Sequence, residues 1–85
     1  MQKHYVYLAR CSDDTLYCGY TTDLAERERA HNEGKGAKYT RARLPVKVVY
    51  SEEFATRSQA QQREYAIKKL TRKEKEGLIE GEELL

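Results

Sequence analysis

A chain of 85 residues and 9.9 kDa is shorter than one average domain, which excludes a two-domain enzyme that closes around its substrate. It is 35% charged with a net charge of only +2 and a mean hydropathy of −0.93. Disorder is nevertheless disfavoured, because the apolar residues fall in periodic clusters and there is one Pro and no low-complexity tract. Two Cys exclude a disulfide scaffold, and the longest early apolar run, Tyr5 to Ala9, is far too short for a signal peptide. No stretch approaches the ~18 apolar residues of a membrane span. The expectation is a soluble cytoplasmic protein with free thiols and no membrane partner.

The charge is unevenly spread. From Arg27 to Lys47 there are seven basic residues against Glu28 and Glu33, whereas from Glu74 onward five Glu face one Lys. A basic middle followed by an acidic end suggests a polyanion-facing surface beside a solvated tail.

In chain order, His4–Cys11 alternates, with Val6 and Leu8 on one side and Tyr5, Tyr7 and Ala9 on the other, as a strand does. Ser12-Asp13-Asp14-Thr15 is a turn cluster, and Leu16–Tyr20 returns as the second strand of a hairpin. Tyr7 and Tyr17 share a sheet face only if the sum of paired residue numbers is even, so an odd loop is expected, with Asp14 near the left-handed region. Thr22 or Asp23 caps a helix, with Glu26 three residues after Asp23, running to about Asn32. Glu33–Leu44 reads mostly as loop, Pro45 precedes a third strand, Val46–Ser51, and Ser58 with Gln61 opens a second helix that ends near Leu70. Thr71 with Glu74 opens a third that stops before Gly81. The order β-β-α-β-α-α, with no repeat and no linker, predicts one small α/β (α+β) domain over 1–85. Its three-stranded, mainly antiparallel sheet is flanked by helices, and 74–85 forms an acidic helix and tail. The expected core is Val6, Leu8, Leu16, Leu24, Val46, Val48, Ala60, Ile67 and Leu70.

Two helices depart from simple amphipathicity. In the first, Leu24, Arg27, Glu28 and His31 share a face, so docking Leu24 carries Arg27 and His31 toward the interior; the plainer reading is a solvated face laced with ion pairs. In the second, Ala60, Ile67 and Leu70 form a stripe completed by Glu64. A carboxylate there is costly unless it is paired with a nearby Arg or holds a metal, and the pattern alone leaves both open.

Tyr5-Val6-Tyr7, then Tyr17-Cys18-Gly19, then Arg27 and His31 on a helix and Glu64 on a later one, resembles the GIY-YIG nuclease superfamily. The likeness is to its small single-domain subgroup. It runs from Tyr5 to about Lys69 through Thr22-Asp23-Leu24, Arg27, His31-Asn32, Gly34 to Arg41 and Arg63-Glu64. Tyr5 stands where the family has its first Gly, and Cys18 where it has the central Ile. An Asn and a Lys carried by some members have no counterpart, Tyr20 standing at the Lys position.

The resemblance implies metal-dependent hydrolysis of phosphodiesters, with one Mg2+ or Mn2+ held weakly by Glu64. Tyr7 and Tyr17 would line the site, one orienting or deprotonating water. Arg27 would stabilise the phosphate, and His31 would relay a proton or touch the phosphate. An ordinary phenol near pKa 10 is a poor base at neutral pH and needs a cation beside it. Lys35, Lys38, Arg41 and Arg43 would hold the flanking backbone, although an ordinary solvated basic loop has the same composition. Tyr39 could stack on a base, with burial against the third strand preferred. The expected partner is nucleic acid, DNA ahead of RNA, and the protein is expected to be a monomer, with structure-selective or weakly sequence-specific cutting. The alternatives are a binding module that keeps the fold with little catalysis, and an interaction protein whose tyrosines are merely core.

Overall fold

The computed structural model describes residues 2–81; the part of the acidic tail from residue 82 onward lies outside the described residues. Three strands, β1 His4–Arg10, β2 Leu16–Thr21 and β3 Lys47–Phe54, form an antiparallel sheet in the order β2-β1-β3. Helices α1 Leu24–Asn32 and α2 Lys38–Arg41 follow β2, and α3 Arg57–Lys68 and α4 Arg72–Ile79 follow β3.

The turn chemistry sets the register. Asp14 adopts φ 67°, and its N–H donates to the Cys11 carbonyl (3.0 Å) while the Cys11 N–H donates to that of Thr15 (2.9 Å). The resulting three-residue loop pairs Tyr7 with Gly19 and Ala9 with Tyr17. Even sums put Tyr7, Ala9, Tyr17 and Gly19 on one sheet face, as the sequence requires.

Both faces of the sheet are covered. Val6, Leu8 and Cys18 pack against Ala60 and Ile67 of α3, with Leu70, Leu78 and Ile79 at the margin. On the other face Tyr7, Ala9, Cys11 and Val46 pack with Tyr17, Leu24, Leu44 and Val48. A bulge between Leu8 and Ala9 skips Val49 in the pairing, so Val49 and Tyr50 both serve the first cluster and Val48 the second. Of the expected core, Val6, Leu8, Val46, Ala60 and Ile67 are buried; Leu16, Leu24, Val48 and Leu70 are only partly so, and Tyr7, Ala9, Cys11 and Cys18 take their place.

Three local readings are corrected. Thr56, not Ser58, caps α3: its extended backbone lets the hydroxyl accept from the Gln59 N–H (3.2 Å), and Ser58 lies within the first turn. β3 runs on to Phe54 because its pairing with β1 continues to His4, although Glu52 and Glu53 are poor strand formers. The loop before Leu44 contains the single turn α2, which has no side-chain cap and is fixed by tertiary bonds of Thr40. The caps at Asp23 and the box at Thr71–Glu74 are as expected.

The acidic end is not simply solvated. Glu76 of α4 receives both Arg10 Nη groups (2.9 and 2.6 Å), and Arg72 bridges Glu76 and Asp14. Arg10 and then Arg72 hold the Glu76 carboxyl well down, at about 2, while burial and then Arg27 lower His31 from its ordinary 6.5. Both depressed groups bind fewer protons folded than unfolded, so each contributes stability that is present above its unfolded pKa and is lost as pH falls. The melting temperature should therefore decline in two stages on acidification, the first beginning below about 6.5 and the second between about 4.5 and 2. Thermal melts at stepped pH on wild type and Glu76→Gln check this, the second stage being smaller in the variant but still present, because Glu52 and Asp13 are also held below their ordinary values.

Candidate active site

The tyrosine face of the sheet carries a directional hydrogen-bond chain. Thr40 Oγ1 donates to the Ala37 carbonyl (2.9 Å), which commits its one proton, so at 2.9 Å from His31 Nδ1 it must accept. His31 is thereby fixed as the Nδ1–H tautomer, and its Nε2 accepts from the Tyr7 hydroxyl at 2.8 Å. Arg27 Nε donates to the same Tyr7 oxygen at 3.4 Å. The order is Arg27 to Tyr7 to His31 to Thr40 to the Ala37 carbonyl, with every proton assigned by the network.

Tyr7, His31 and Thr40 have no exposed surface. Burial pushes the Tyr7 phenol up to about 12 despite the Arg27 hydrogen bond, so Tyr7 stays protonated at neutral pH. The same burial, and then the Arg27 charge, keeps His31 neutral. Arg27 is raised above its ordinary value chiefly by the hydrogen bond to Tyr7, with a smaller contribution from Tyr17. Tyr17 is partly exposed and lies edge-on to His31 (5.4 Å) and tilted against Tyr7 (6.3 Å).

Two glycines make this packing possible through space rather than φ. A Cβ on Gly19 would lie 2.5 Å from the Tyr7 hydroxyl, and one on Gly36 would lie 2.1 Å from His31 Nδ1. Asn32 holds the end of α1 by exchanging hydrogen bonds with the Val46 N–H and carbonyl (2.7 and 2.9 Å). Sequence reasoning missed Thr40, Gly36 and Gly19 as parts of this arrangement. All three stand within the family pattern, which was their one signal; nothing else in the sequence marked them.

Tyr7, Tyr17, Arg27 and His31 are thus brought together, and α1 buries the Leu24 and His31 face rather than solvating it. The ion pairs of Arg29 with Glu26 and Glu33 lie on its exposed side. A phosphate contact by His31 is not available, because its ring is fully enclosed. Tyr39 is 41% exposed, stacks on Tyr17 at 6.1 Å and carries the Arg43 guanidinium 4.0 Å over its ring, so it does not bury against β3 as expected. Arg43 also donates from Nη1 to the Tyr39 carbonyl (2.7 Å), and its Nε lies 3.0 Å from Asp13 as an ion pair. Lys35, Lys38 and Arg41 are exposed; Lys35 pairs with Glu33 at 3.6 Å.

Glu64 stands apart. It lies on α3, across the sheet from α1, and its side chain is 20% exposed and paired with Lys68 at 3.1 Å rather than with an Arg; Arg63 binds Glu52 instead. It approaches the site only at the β2 edge, where the Cys18 thiol, next in chain to Tyr17, points at the Glu64 carbonyl (3.9 Å). A convergence of Glu64 with the tyrosine hydroxyls in one concavity is not among the contacts formed. A small pocket at the far edge, among Gln2, Lys3, Glu53, Phe54 and Ala55, includes no expected site residue. Among the described residues no three His, Cys, Asp or Glu cluster as metal ligands. A lone carboxylate suits an ion that keeps most of its waters, as Mg2+ does, and not zinc. Cys11 and Cys18 are free and buried. No helix among the described residues is long and apolar enough to cross a membrane.

Comparison with known proteins gives the same frame. Residues 3–77 match the model of the GIY-YIG catalytic domain. A UPF0213 protein of Bacillus licheniformis is 57% identical over 91% of this chain and 79% of its own length. One of Staphylococcus haemolyticus is 52% identical over 94% and 98%. The solution structure of the UPF0213 protein BH0048 from Bacillus halodurans is 45% identical over 92% of this chain and 83% of that one, with a TM-score of 0.59. That of EF2693 from E. faecalis is 46% identical over 95% and 86%, with a TM-score of 0.63. With its sheet order, its buried tyrosine–histidine chain and a family match over nearly its whole length, the chain belongs to the GIY-YIG family, among its small UPF0213 proteins.

Proposed function

We propose that the protein is a divalent-metal-dependent endonuclease that hydrolyses phosphodiester bonds in nucleic acid, structure-selectively or with weak sequence preference. The observation that carries this is the buried chain from Arg27 through Tyr7, His31 and Thr40. It fixes a permanent cation beside Tyr17, the partly exposed member of the Tyr7–Tyr17 pair. A core tyrosine in a mere interaction protein needs one hydrogen-bond partner; five groups aligned in one direction, from a guanidinium to the Ala37 carbonyl, serve to position that guanidinium.

The roles divide by exposure. Tyr17 holds the attacking water by its hydroxyl. Arg27, with Nε committed to Tyr7, keeps its Nη groups for Tyr17 and for the charge that develops on the phosphate. Tyr7, His31 and Thr40 act through Arg27 and Tyr17 as positioning residues. Glu64 is the residue that would hold the cation, whose contribution when bound is to neutralise charge on a phosphate oxygen. Lys38 and Arg41 are the exposed groups of the loop with no ion pair among the described residues, and would grip the flanking backbone together with Lys35, which pairs with Glu33.

The roles separate experimentally. Tyr17→Phe should lower the single-turnover cleavage rate by about 10²-fold or more with unchanged melting temperature and affinity. Tyr7→Phe should also cost about 1–3 kcal/mol of stability, because His31 Nε2 is left as a buried acceptor without a donor. Equal rates for wild type and Tyr17→Phe would remove Tyr17 from the chemistry. The Glu64–Lys68 ion pair favours a second reading, a nucleic-acid-binding module with the nuclease fold and little catalysis.

A further inference from the structure

The segment from Lys68 to Lys75 holds five basic residues against Glu74 alone, a denser run of positive charge than the loop before β3. Lys68 is paired with Glu64, and Arg72 with Asp14 and Glu76. Lys69 and Lys73 are exposed and pair with no carboxylate among the described residues. Lys69 Nζ sits 4.2 Å over the ring of Tyr65, which is 64% exposed, the largest exposure of any large hydrophobic side chain described. That contact holds a flexible ammonium in place before any partner arrives, which lowers the ordering cost of binding.

The position of this corner gives it a purpose. β2 is an edge strand, with α1 and α2 on one sheet face and α3 and α4 on the other. Tyr17 faces the first side, while Cys18 and the Glu64 carbonyl meet on the second. A polyanion lying along the β2 edge therefore meets Lys38 and Arg41 on one side and the corner between α3 and α4 on the other. A little over one helical turn, roughly 6 Å of axis to Lys68 and roughly 7.5 Å to Lys69, separates them from Glu64. That is about two base-pair rises of ~3.4 Å, so the Lys69 ammonium, which pairs with no carboxylate among the described residues, comes within reach of a phosphate next to the scissile one. We infer that the α3–α4 corner, through Lys69 and Lys73 with Tyr65 as the support of Lys69, is a second phosphate-backbone surface. The strand that crosses the site is gripped on both sides of the scissile bond. This rests on the reading of the chain as a nucleic-acid-binding protein.

The test is a salt titration of binding to a fluorescent DNA duplex, followed by anisotropy in EDTA so that nothing is cut. Wild type, Lys69→Gln/Lys73→Gln and Lys38→Ala/Arg41→Ala are compared, with thermal melts confirming that each folds. On duplex DNA each lost phosphate contact should flatten the slope of log Kobs against log salt by about 0.9. The corner variant should thus lose roughly 1.8, as the loop variant does, with a uniform weakening across sequences. Tyr65→Ala should lose part of the same effect and Tyr65→Phe none. An unchanged slope in the corner variant, with a flattened one in the loop variant, overturns the second surface and leaves the function standing. The same result with loss of binding to anionic vesicles or to an acidic peptide would reassign the corner to that partner. Failure of wild type to bind at low salt overturns both readings together.

Discussion

Glu64→Gln is expected to abolish cleavage while leaving affinity for nucleic acid unchanged or higher. The side chain is 20% exposed and its one ion pair, with Lys68, is of the surface kind, worth about 0–1 kcal/mol. The amide keeps the shape, so the fold should survive, and a melting curve close to wild type establishes that the loss is chemical. Affinity should not fall, because a negative charge beside the bound phosphate has gone and Lys68 is released toward it. A variant that binds less tightly than wild type would show that the carboxylate orders the surface rather than serving the reaction.

Gly36→Ala should damage both stability and rate, although Gly36 touches no substrate in the proposed scheme. Its Cβ would fall 2.1 Å from His31 Nδ1 and 2.7 Å from the ring carbon beside it, so the imidazole must leave its place between Thr40 and Tyr7. Overpacking of this kind costs about 1–3 kcal/mol. Losing the Nε2 acceptor turns the Tyr7 hydroxyl and releases Arg27, so the rate should fall even where the protein is folded. Gly34→Ala is the informative contrast. Its φ is 78° and nothing lies within 4 Å of the added carbon, so it strains the backbone without touching His31. Comparable rate losses for the two would mean that the loop, not the histidine, is what matters.

The hairpin register was legible because parity of strand pairing is a matter of counting, and Asp14 in the left-handed region gives the required odd loop. The convergence of Tyr7, Tyr17, Arg27 and His31 was legible through the family pattern and through the share of one helix face by Leu24, Arg27 and His31. The separation of roles was not. Which tyrosine is enclosed depends on Gly19 and Gly36 making room for rings, and spacing alone carries no depth. Thr40 looked like one more polar loop residue, because its hydroxyl is fixed by a partner nine positions away. Glu64 was read correctly as an anomaly on an apolar stripe, but its counter-charge is Lys68 on its own helix, a choice that side-chain rotamers make and sequence does not display. Charge counting found the loop and passed over Lys68 to Lys75, since the window that began at Glu74 cut that run in two. The cap of α3 was misplaced because Thr56 with Gln59 and Ser58 with Gln61 are the same pattern two residues apart, and only the extended backbone at Thr56 decides between them.

The measurement that tests the nuclease reading most directly is single-turnover cleavage of branched, nicked, single-stranded and duplex substrates by the purified chain, in Mg2+, in Mn2+ and in EDTA, with Glu64→Gln alongside. Cutting by wild type with either metal on at least one substrate, none in EDTA and none by the variant at equal binding is the expected outcome. Equal binding by the two proteins with no cutting of any substrate in either metal would contradict it, and would leave a nucleic-acid-binding module built on a nuclease fold.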